Sequence, residues 1–382
     1  MGTSLSSDKP VGKPCVLVVD DETGPRDALK VILRPFFTIH AAGSAQAALQ
    51  VLKQQHIDLI TLDQKLPDRQ GIELLQDIKH QYADIEVIII TGYGSLKSAM
   101  EGIRHGAAGY LLKPFNVTEL ITLINQTLEK KRRLDFLRTF LKNSTALWGT
   151  EQDIARAWRE VKEGYGSIGA QKNAPSPSSD EAASLIPLLS DLLEAKDRQL
   201  LNHCSRVSFY ASLLANRLNL PVAEQKSLAL GAFLHDIGNI STTPYSFFGQ
   251  ETPAHGSRSD REHPDVGARM ILPLEFPAEV GQIIAYHHER FDGLGYPHGL
   301  RGDGIPLLAR IVAIAQAFDR LTVDIPGSHP LSVDDAMRQI ALQAETYFDP
   351  MLTELFTRVV QECKASLPAL AIAASPNGAS EA

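Results

Sequence analysis

Short apolar runs alternate with helix-length amphipathic segments between Cys15 and about Lys130. The runs are continuous rather than alternating, which is typical of strands that are buried on both faces of a parallel sheet. In chain order they are Cys15–Val19, a weaker run at Phe36–Ile39, Leu59–Leu62, Val87–Ile90 and Gly109–Leu112, with helical segments such as Ala45–Gln55 and Gln70–Gln81 between them. Five strand-then-helix units predict a doubly wound, five-stranded α/β domain over residues 13–130.

Length and composition narrow the class of protein. The 382 residues exceed what one ordinary hydrophobic core organises, so we expect two domains. The net charge is −8, and we see neither a basic patch nor a helix-turn-helix pattern, which argues against a DNA-binding protein. Three widely spaced cysteines fit a reducing compartment. With no secretory signal and no apolar stretch of about 18 residues, the sequence predicts a cytoplasmic protein without membrane insertion.

The segment 131–180 is predicted to be a signalling helix followed by a flexible linker. Leu134, Leu137 and Leu141 recur at helical spacing within the charged stretch Glu129–Gly164, which therefore continues the last helix of the first domain. Such a stripe usually packs against its own protein, and it is too short for a sustained coiled coil. The stretch Gly164–Asp180 is rich in Gly, Ser and Pro, which indicates a linker.

A second domain is predicted over residues 181–366. Apolar residues recur there with mostly helical periodicity, so we expect an all-α bundle. The remaining residues 367–382 are small and polar, and we expect a disordered tail.

Polar side chains stand where the strands of the first domain end. These are Asp20, Asp21, Asp63, Thr91 and Lys113. The carboxyl ends of parallel strands share one edge of an open sheet, so we expect these side chains to converge. Three clustered carboxylates repel one another without a cation, and their oxygens suit Mg²⁺. One carboxylate would remain free to attack phosphorus, with the Lys113 ammonium and the Thr91 hydroxyl near the incoming oxygens.

The segments VLVVDDE, DLITLDQKLPDRQG, TGYGS and YLLKPF resemble the landmarks of bacterial response-regulator receiver domains, which have a flavodoxin-like fold. The resemblance implies that a sensor histidine kinase leads to phosphorylation of Asp63. It also implies that Asp20 and Asp21 hold Mg²⁺ together with Asp63 and the backbone carbonyl of Lys65. The remaining implied features are the switch residues Thr91, Lys113 and Tyr110 and a cis bond between Lys113 and Pro114.

Histidines dominate the chemistry of the second domain. Twelve occur in the chain, and most lie between His203 and His298. Three of them stand in two adjacent pairs, His235–Asp236 and His287–His288, while His203 and His263 stand alone. Imidazole and carboxylate together favour transition metals of the Fe, Mn or Zn class, and an adjacent His–Asp lets one carboxylate bridge two ions. A two-metal site suits hydrolysis of a phosphodiester, with ligands contributed by separate helices of a bundle.

Four segments resemble the HD-GYP family of the HD phosphohydrolase superfamily over about residues 185–360. They are LHDIG, HPDVGARM, HHERFDGLGYPHGLRGDGIPLLARIVAIAQAFDRLT and YFDP. The resemblance implies an all-helical domain that hydrolyses cyclic di-GMP to linear pGpG or GMP. His203, His235 and Asp236 would hold one metal ion, and Asp236, His263, His287 and His288 a second. His235 and Asp236 would be catalytic, and Asp292, Gly293, Gly295, Tyr296 and Pro297 would form the signature loop.

Four positions depart from the family pattern. Asn239 replaces a lysine that would meet a phosphate, and Gln316 replaces a metal-binding aspartate. Ile325 and Ser328 stand where basic residues are usual, and Asp319 corresponds to a second, structural aspartate. These departures leave an alternative open. The domain is either a cyclic di-GMP phosphodiesterase or a degenerate module that binds a nucleotide or a protein, such as a diguanylate cyclase or a second copy of the chain.

Overall fold

The computed structural model describes residues 13–92, 96–143, 150–169, 181–241, 261–323 and 329–363. The chain divides into two compact units, Met1–Arg132 and Arg133–Ala382. Within the described residues, no helix combines the length and the apolar character needed to cross a membrane.

The first unit is a five-stranded parallel sheet in the order β2-β1-β3-β4-β5. Its strands are β1 (Cys15–Val19), β2 (Thr38–Ala42), β3 (Leu59–Asp63), β4 (Glu86–Thr91) and β5 (Gly109–Leu112). The helices are α1 (Thr23–Leu33), α2 (Ala45–Gln54), α3 (Gly71–Gln81), α4 (Leu96–Arg104) and α5 (Val117–Asn143). The predicted doubly wound α/β fold is confirmed.

Successive residues of β1 point to opposite faces of this sheet, and each face carries its own core. Leu17 and Val19 join the core under α2 and α3, whereas Val16 and Val18 join the core under α1 and α5. The prediction for the second strand was wrong in its position. Phe37 packs in a core directly after α1, and the strand begins only at Thr38. β2 lies at the edge of the sheet, so it is less buried and needs fewer apolar residues than the central strands.

Helix α5 continues across the division at Arg132, as its apolar stripe predicted, but it ends at Asn143 and does not reach the predicted Gly164. Leu134, Leu137 and Leu141 are buried in a core of the second unit. α6 (Glu151–Gly169) adds to the same core, and the indole Nε1 of Trp158 donates a hydrogen bond of 2.6 Å to the Met270 carbonyl. The predicted start of the flexible linker at Gly164 was wrong, because α6 runs five residues further. Residues 170–180 lie outside the described residues, as does the predicted tail.

The rest of the second unit is helical, as predicted. Its helices are α7 (Glu181–Lys196), α8 (Arg198–Arg217), α9 (Val222–Leu234), α10 (His263–Ile271), α11 (Ala278–Tyr286), α12 (Leu307–Thr322), α13 (Val333–Leu342) and α14 (Pro350–Cys363). One core joins α5, α6 and α7 to α10 and α11, and a second joins α8 and α9 to α12, α13 and α14.

Several candidate ligands stand at helix ends, where the chain changes direction. His235 follows α9, His263 begins α10, and His287 follows α11. Gly238 allows the first two to approach, because a Cβ at this position would lie 2.0 Å from the His263 carbonyl oxygen. Packing of this turn against α10 therefore sets the spacing of the histidine cluster.

Candidate functional sites

Three carboxylates meet at the carboxyl edge of the sheet, as predicted from their positions. Oxygens of Asp20, Asp21 and Asp63 all lie within 4.8 Å of one another. Asp20 and Asp63 are buried and Asp21 is exposed. The Lys65 backbone N–H donates to Oδ1 of Asp63 over 3.2 Å, which folds the next residues of the chain back beside the cluster. Hard oxygen ligands in this arrangement fit Mg²⁺.

Lys113 supplies the positive charge of this cluster. Its Nζ lies 2.8 Å from Asp20 Oδ2 and 2.6 Å from Asp63 Oδ2. Burial on its own lowers the pKa of Lys113, but the hydrogen bonds to the two carboxylates outweigh this effect and raise the pKa. The ammonium group is therefore charged and already placed beside Asp63.

The other predicted switch residues lie on the neighbouring strands. Thr91 is fully buried at the end of β4, and its carbonyl accepts a hydrogen bond of 2.8 Å from the Lys113 backbone N–H. Tyr110 is half-buried on β5 and packs against the core under α2 and α3. The bond between Lys113 and Pro114 is cis, the isomer expected from the sequence.

Asp236 lies at the centre of the second site, and its two oxygens face different imidazoles. Oδ2 is 3.5 Å from Nε2 of His235 and 3.8 Å from Nε2 of His203. Oδ1 is 3.2 Å from Nε2 of His263 and 3.7 Å from Nε2 of His287. The carboxylate thus divides the histidines into the two groups that the sequence predicted. Six residues, those four imidazoles with Asp236 and His288, come together here from four separate segments of the chain.

The outward nitrogens of three imidazoles are anchored on neighbouring groups. Nδ1 of His235 donates to the Ala232 carbonyl, and Nδ1 of His287 donates to the Ile284 carbonyl, each over 2.8 Å. Nδ1 of His203 donates to Asp319 over 2.7 Å. Each ring therefore turns a lone pair on Nε2 toward Asp236. This outer support is the usual arrangement of metal-ligating histidines.

Buried polar atoms of this site that make no hydrogen bond to any residue that the structure describes include Nε2 of His235 and Oε1 of Gln316. Leaving such atoms unsatisfied is costly, and a cation among the imidazoles would satisfy the nitrogen. The residues present therefore fit transition-metal ions.

Burial keeps His235, His287 and His288 neutral and ready to coordinate. It lowers the pKa of His235 to about 4 and lowers the pKa values of His287 and His288 well below their ordinary range. Burial would raise the pKa of Asp236, but interactions with His235, His263 and His203 outweigh this and hold the pKa well below its usual range. Neutral imidazoles around an ionised carboxylate are the protonation states that a metal ion requires.

Two domain families match the chain. The response regulator receiver domain matches residues 16–125, and the HD domain matches residues 187–352. The chain joins a receiver domain to an HD domain.

Curated relatives match the chain over most of its length and over most of their own. Over 361 residues the chain is 29% identical to a Vibrio cholerae protein named probable cyclic di-GMP phosphodiesterase, covering 89% of this chain and 76% of the relative. It is 27% identical over 352 residues to the cyclic di-GMP phosphodiesterase response regulator RpfG of Xanthomonas campestris pv. campestris, covering 90% and 87%. A cyclic di-GMP phosphodiesterase of Thermotoga maritima is 25% identical over 353 residues, covering 91% and 90%.

The signature loop of the HD domain folds over the second histidine group. The Tyr296 ring stacks on the His288 ring, with centroids 4.8 Å apart and planes at 17°. Asp292 forms the turn at the start of the loop, where its Oδ1 accepts a hydrogen bond of 2.9 Å from the Leu294 N–H. Gly293 has a φ of 84°, which favours glycine, and the bond before Pro297 is cis.

Two of the four divergent positions of the HD domain lie beside the histidines. The Asn239 N–H donates to the carbonyl of Asp236 over 3.0 Å. The side-chain Nε2 of Gln316 donates to the His287 carbonyl over 2.9 Å. Gln316 therefore stands next to the cluster but contributes a neutral oxygen in place of a carboxylate. Ile325 and Ser328 lie outside the described residues.

Sequence reasoning missed several residues that support the HD site. Arg206 forms a two-armed ion pair with Asp319, whose carboxylate also holds His203. Arg310 pairs with Asp349 over 2.6 Å, which gives the late YFDP segment a structural role. A cation one helical turn from a ligand, as Arg206 is from His203, was the available signal for the first pair.

Proposed function

We propose that this chain is a response regulator in which phosphorylation of Asp63 controls an HD-GYP output domain that hydrolyses cyclic di-GMP to linear pGpG or GMP. The observation that carries the proposal is Asp236, with each carboxylate oxygen facing a different group of histidines. The names of the relatives supply the substrate.

The proposed metal centre uses the residues as they stand. His203, His235 and Asp236 would hold one ion of the Fe, Mn or Zn class, and Asp236, His263, His287 and His288 a second. Two such ions would polarise a phosphodiester and activate water for attack on phosphorus.

The protein's own contribution is to orient the imidazole rings and to bury them away from solvent. The carbonyls of Ala232 and Ile284 orient the rings of His235 and His287, and burial keeps these two rings unprotonated. Asp319 orients a third ring, that of His203. Tyr296 covers His288 from the loop side, where the substrate would be held. His235 and Asp236 belong to this machinery as ligands.

The receiver would act through Asp63 as the phosphoryl acceptor. Its oxygens lie beside Asp20 and Asp21, which would hold Mg²⁺ with it, and Lys113 would meet the phosphoryl oxygens. A sensor histidine kinase would supply the phosphoryl group. Helix α5 carries residues of the receiver core and residues of the output core, which makes it the proposed route of control. Docking of a diguanylate cyclase and a homodimer stay predictions of the sequence.

Metal analysis beside a hydrolysis assay tests the output half. Purified full-length chain should contain Fe, Mn or Zn and convert cyclic di-GMP to a linear product. Asp236→Asn should abolish turnover and reduce bound metal, because it removes the shared anionic ligand. Asp303→Asn is a matched control, since Asp303 is almost fully exposed. Metal binding with nucleotide affinity but no turnover would favour the degenerate binding module.

A phosphorylation assay tests the receiver half. Incubation with acetyl phosphate and Mg²⁺ should give one acid-stable, base-labile phosphoryl group per chain. Asp63→Asn should give none, while Asp27→Asn, a change at an exposed receiver carboxylate, should behave as wild type. Equal phosphorylation of the Asp63 variant would contradict the assignment.

A further inference from the structure

Glu289 is a buried acidic residue that the proposed chemistry leaves without a role. It directly follows the two adjacent histidines, and only 4% of its surface is exposed. One carboxylate oxygen accepts a hydrogen bond of 2.7 Å from the His298 N–H, and the other accepts one of 3.0 Å from the Leu300 N–H. Both oxygens of this side chain therefore hold the backbone at 298–300 in place.

These two bonds fold the signature loop back onto the segment that precedes it. A Cβ at Gly295 would lie 2.2 Å from the Arg290 backbone nitrogen and 2.6 Å from Cα of Glu289, so only glycine fits this close approach. The Tyr296 N–H donates to the His288 carbonyl over 3.3 Å. The ring of Tyr296 is thereby held on the ring of His288.

The two ends of the loop are held by different residues. At its start, Arg290 pairs with Asp292 and its guanidinium carbon lies 3.5 Å from the centroid of the Tyr347 ring. At its end, the carboxylate of Glu289 binds both backbone N–H groups. The loop also contacts Arg261, whose guanidinium carbon lies 5.6 Å from the centroid of the Tyr296 ring.

We propose that Glu289 is a positioning residue that fixes the Tyr296 loop as the wall against which a cyclic dinucleotide is held. Glu289 acts through the loop, because its two carboxylate oxygens accept hydrogen bonds from the backbone N–H groups of His298 and Leu300. The inference rests on the proposed function, since it makes the loop a binding surface for a large substrate, a cyclic dinucleotide. A small phosphodiester reaches the metal centre without needing this wall.

The test compares two substrates on metal-loaded full-length chain. For Glu289→Gln, which keeps the shape but can satisfy only one of the two N–H groups, KM for cyclic di-GMP should rise about tenfold or more. Turnover of bis(p-nitrophenyl) phosphate and bound metal should stay within about twofold of wild type. Glu289→Ala should show the same split more strongly, and Glu279→Gln, an exposed change at the start of α11, should show none.

Two outcomes would overturn the proposal. An equal loss with both substrates, or a loss of metal, would make Glu289 a support of the metal centre. An unchanged KM for cyclic di-GMP would remove its role altogether. If the wild-type chain does not cleave cyclic di-GMP, the proposed function fails. The role of Glu289 in holding the loop can then be tested separately, by the rate of trypsin cleavage after the exposed Arg301. Cleavage should then be faster in Glu289→Gln than in wild type, and equal rates would overturn the inference.

Discussion

Asp319 accepts a hydrogen bond of 2.7 Å from Nδ1 of His203, and that ring places its Nε2 3.8 Å from Asp236. Burial would raise the pKa of Asp319, but its bonds to His203 and Arg206 outweigh burial and lower the pKa. An ionised acceptor behind an imidazole makes the ring a better ligand. The fully buried Asp319 therefore supports the first of the two proposed metal positions.

The Asp319→Asn variant should bind the first metal more weakly. Loss of such an outer partner lowers metal affinity by about 10- to 100-fold. Metal titration of the metal-free protein should show one weakened site beside one unchanged site, because Asp319 holds the ring of His203, which belongs to the first proposed metal position and not to the second. Asp303→Asn serves as the exposed control. Equal weakening of both sites would argue against separate roles for the two histidine groups.

The Asn239→Lys variant should gain activity. Asn239 lies three residues after Asp236, where the HD-GYP family that the sequence resembles has a lysine. By the proposed function, an added ammonium would meet a phosphate of the substrate. A charged hydrogen bond contributes about 1.5–3 kcal/mol, which corresponds to about a 10- to 100-fold rise in kcat/KM for cyclic di-GMP. Asn216→Lys adds the same charge on the exposed side of α8 and should change nothing. No gain at position 239 would mean that the missing cation is not what limits this site.

The sequence predicted the histidine groups because their chemistry depends on residue types that stand out in short motifs. It predicted the five-stranded sheet because buried parallel strands are continuous apolar runs. It could not predict that Trp158 anchors α6 on Met270, since that contact joins residues far apart in the chain. Glu289 was also missed, because a buried carboxylate that binds only backbone N–H groups leaves no signature in residue spacing.

The Asp191→Asn variant should destabilise the second unit. One oxygen of this buried carboxylate accepts a hydrogen bond of 3.0 Å from Nε of Arg133 and one of 2.7 Å from the Tyr165 hydroxyl, which ties α5, α6 and α7 together. Weakening the charged bond should cost about 1–3 kcal/mol in the free energy of unfolding. Tyr165→Phe, which removes only the hydroxyl, should cost about 1 kcal/mol. Urea unfolding followed by tryptophan fluorescence measures both, and an unchanged midpoint in Asp191→Asn would contradict the role of this contact.

The metal-free second unit should lose stability as the pH falls from about 6.5 to 4. His235 has a pKa of about 4 when folded, against an ordinary value of 6.5, so within this window the unfolded chain binds more protons. Unfolding therefore becomes more favourable as the pH falls, by about 3 kcal/mol for this histidine across the whole window. His287 and His288, whose pKa values are also lowered, add to the loss. Asp236 does not contribute in this window, because its lowered pKa affects stability only below its ordinary value of 3.8.

Trp158 is buried in a core of the second unit, so its fluorescence follows the unfolding of that unit in the full-length protein. The urea midpoint of metal-free protein should fall between pH 7 and pH 5, and His235→Gln should reduce that slope by removing one buried imidazole. His56→Gln, at an exposed receiver histidine, should leave it unchanged. A midpoint that is flat over this range would mean that the imidazoles are already solvated or charged in the folded chain, and the neutral ligand set on which the metal centre depends would not exist.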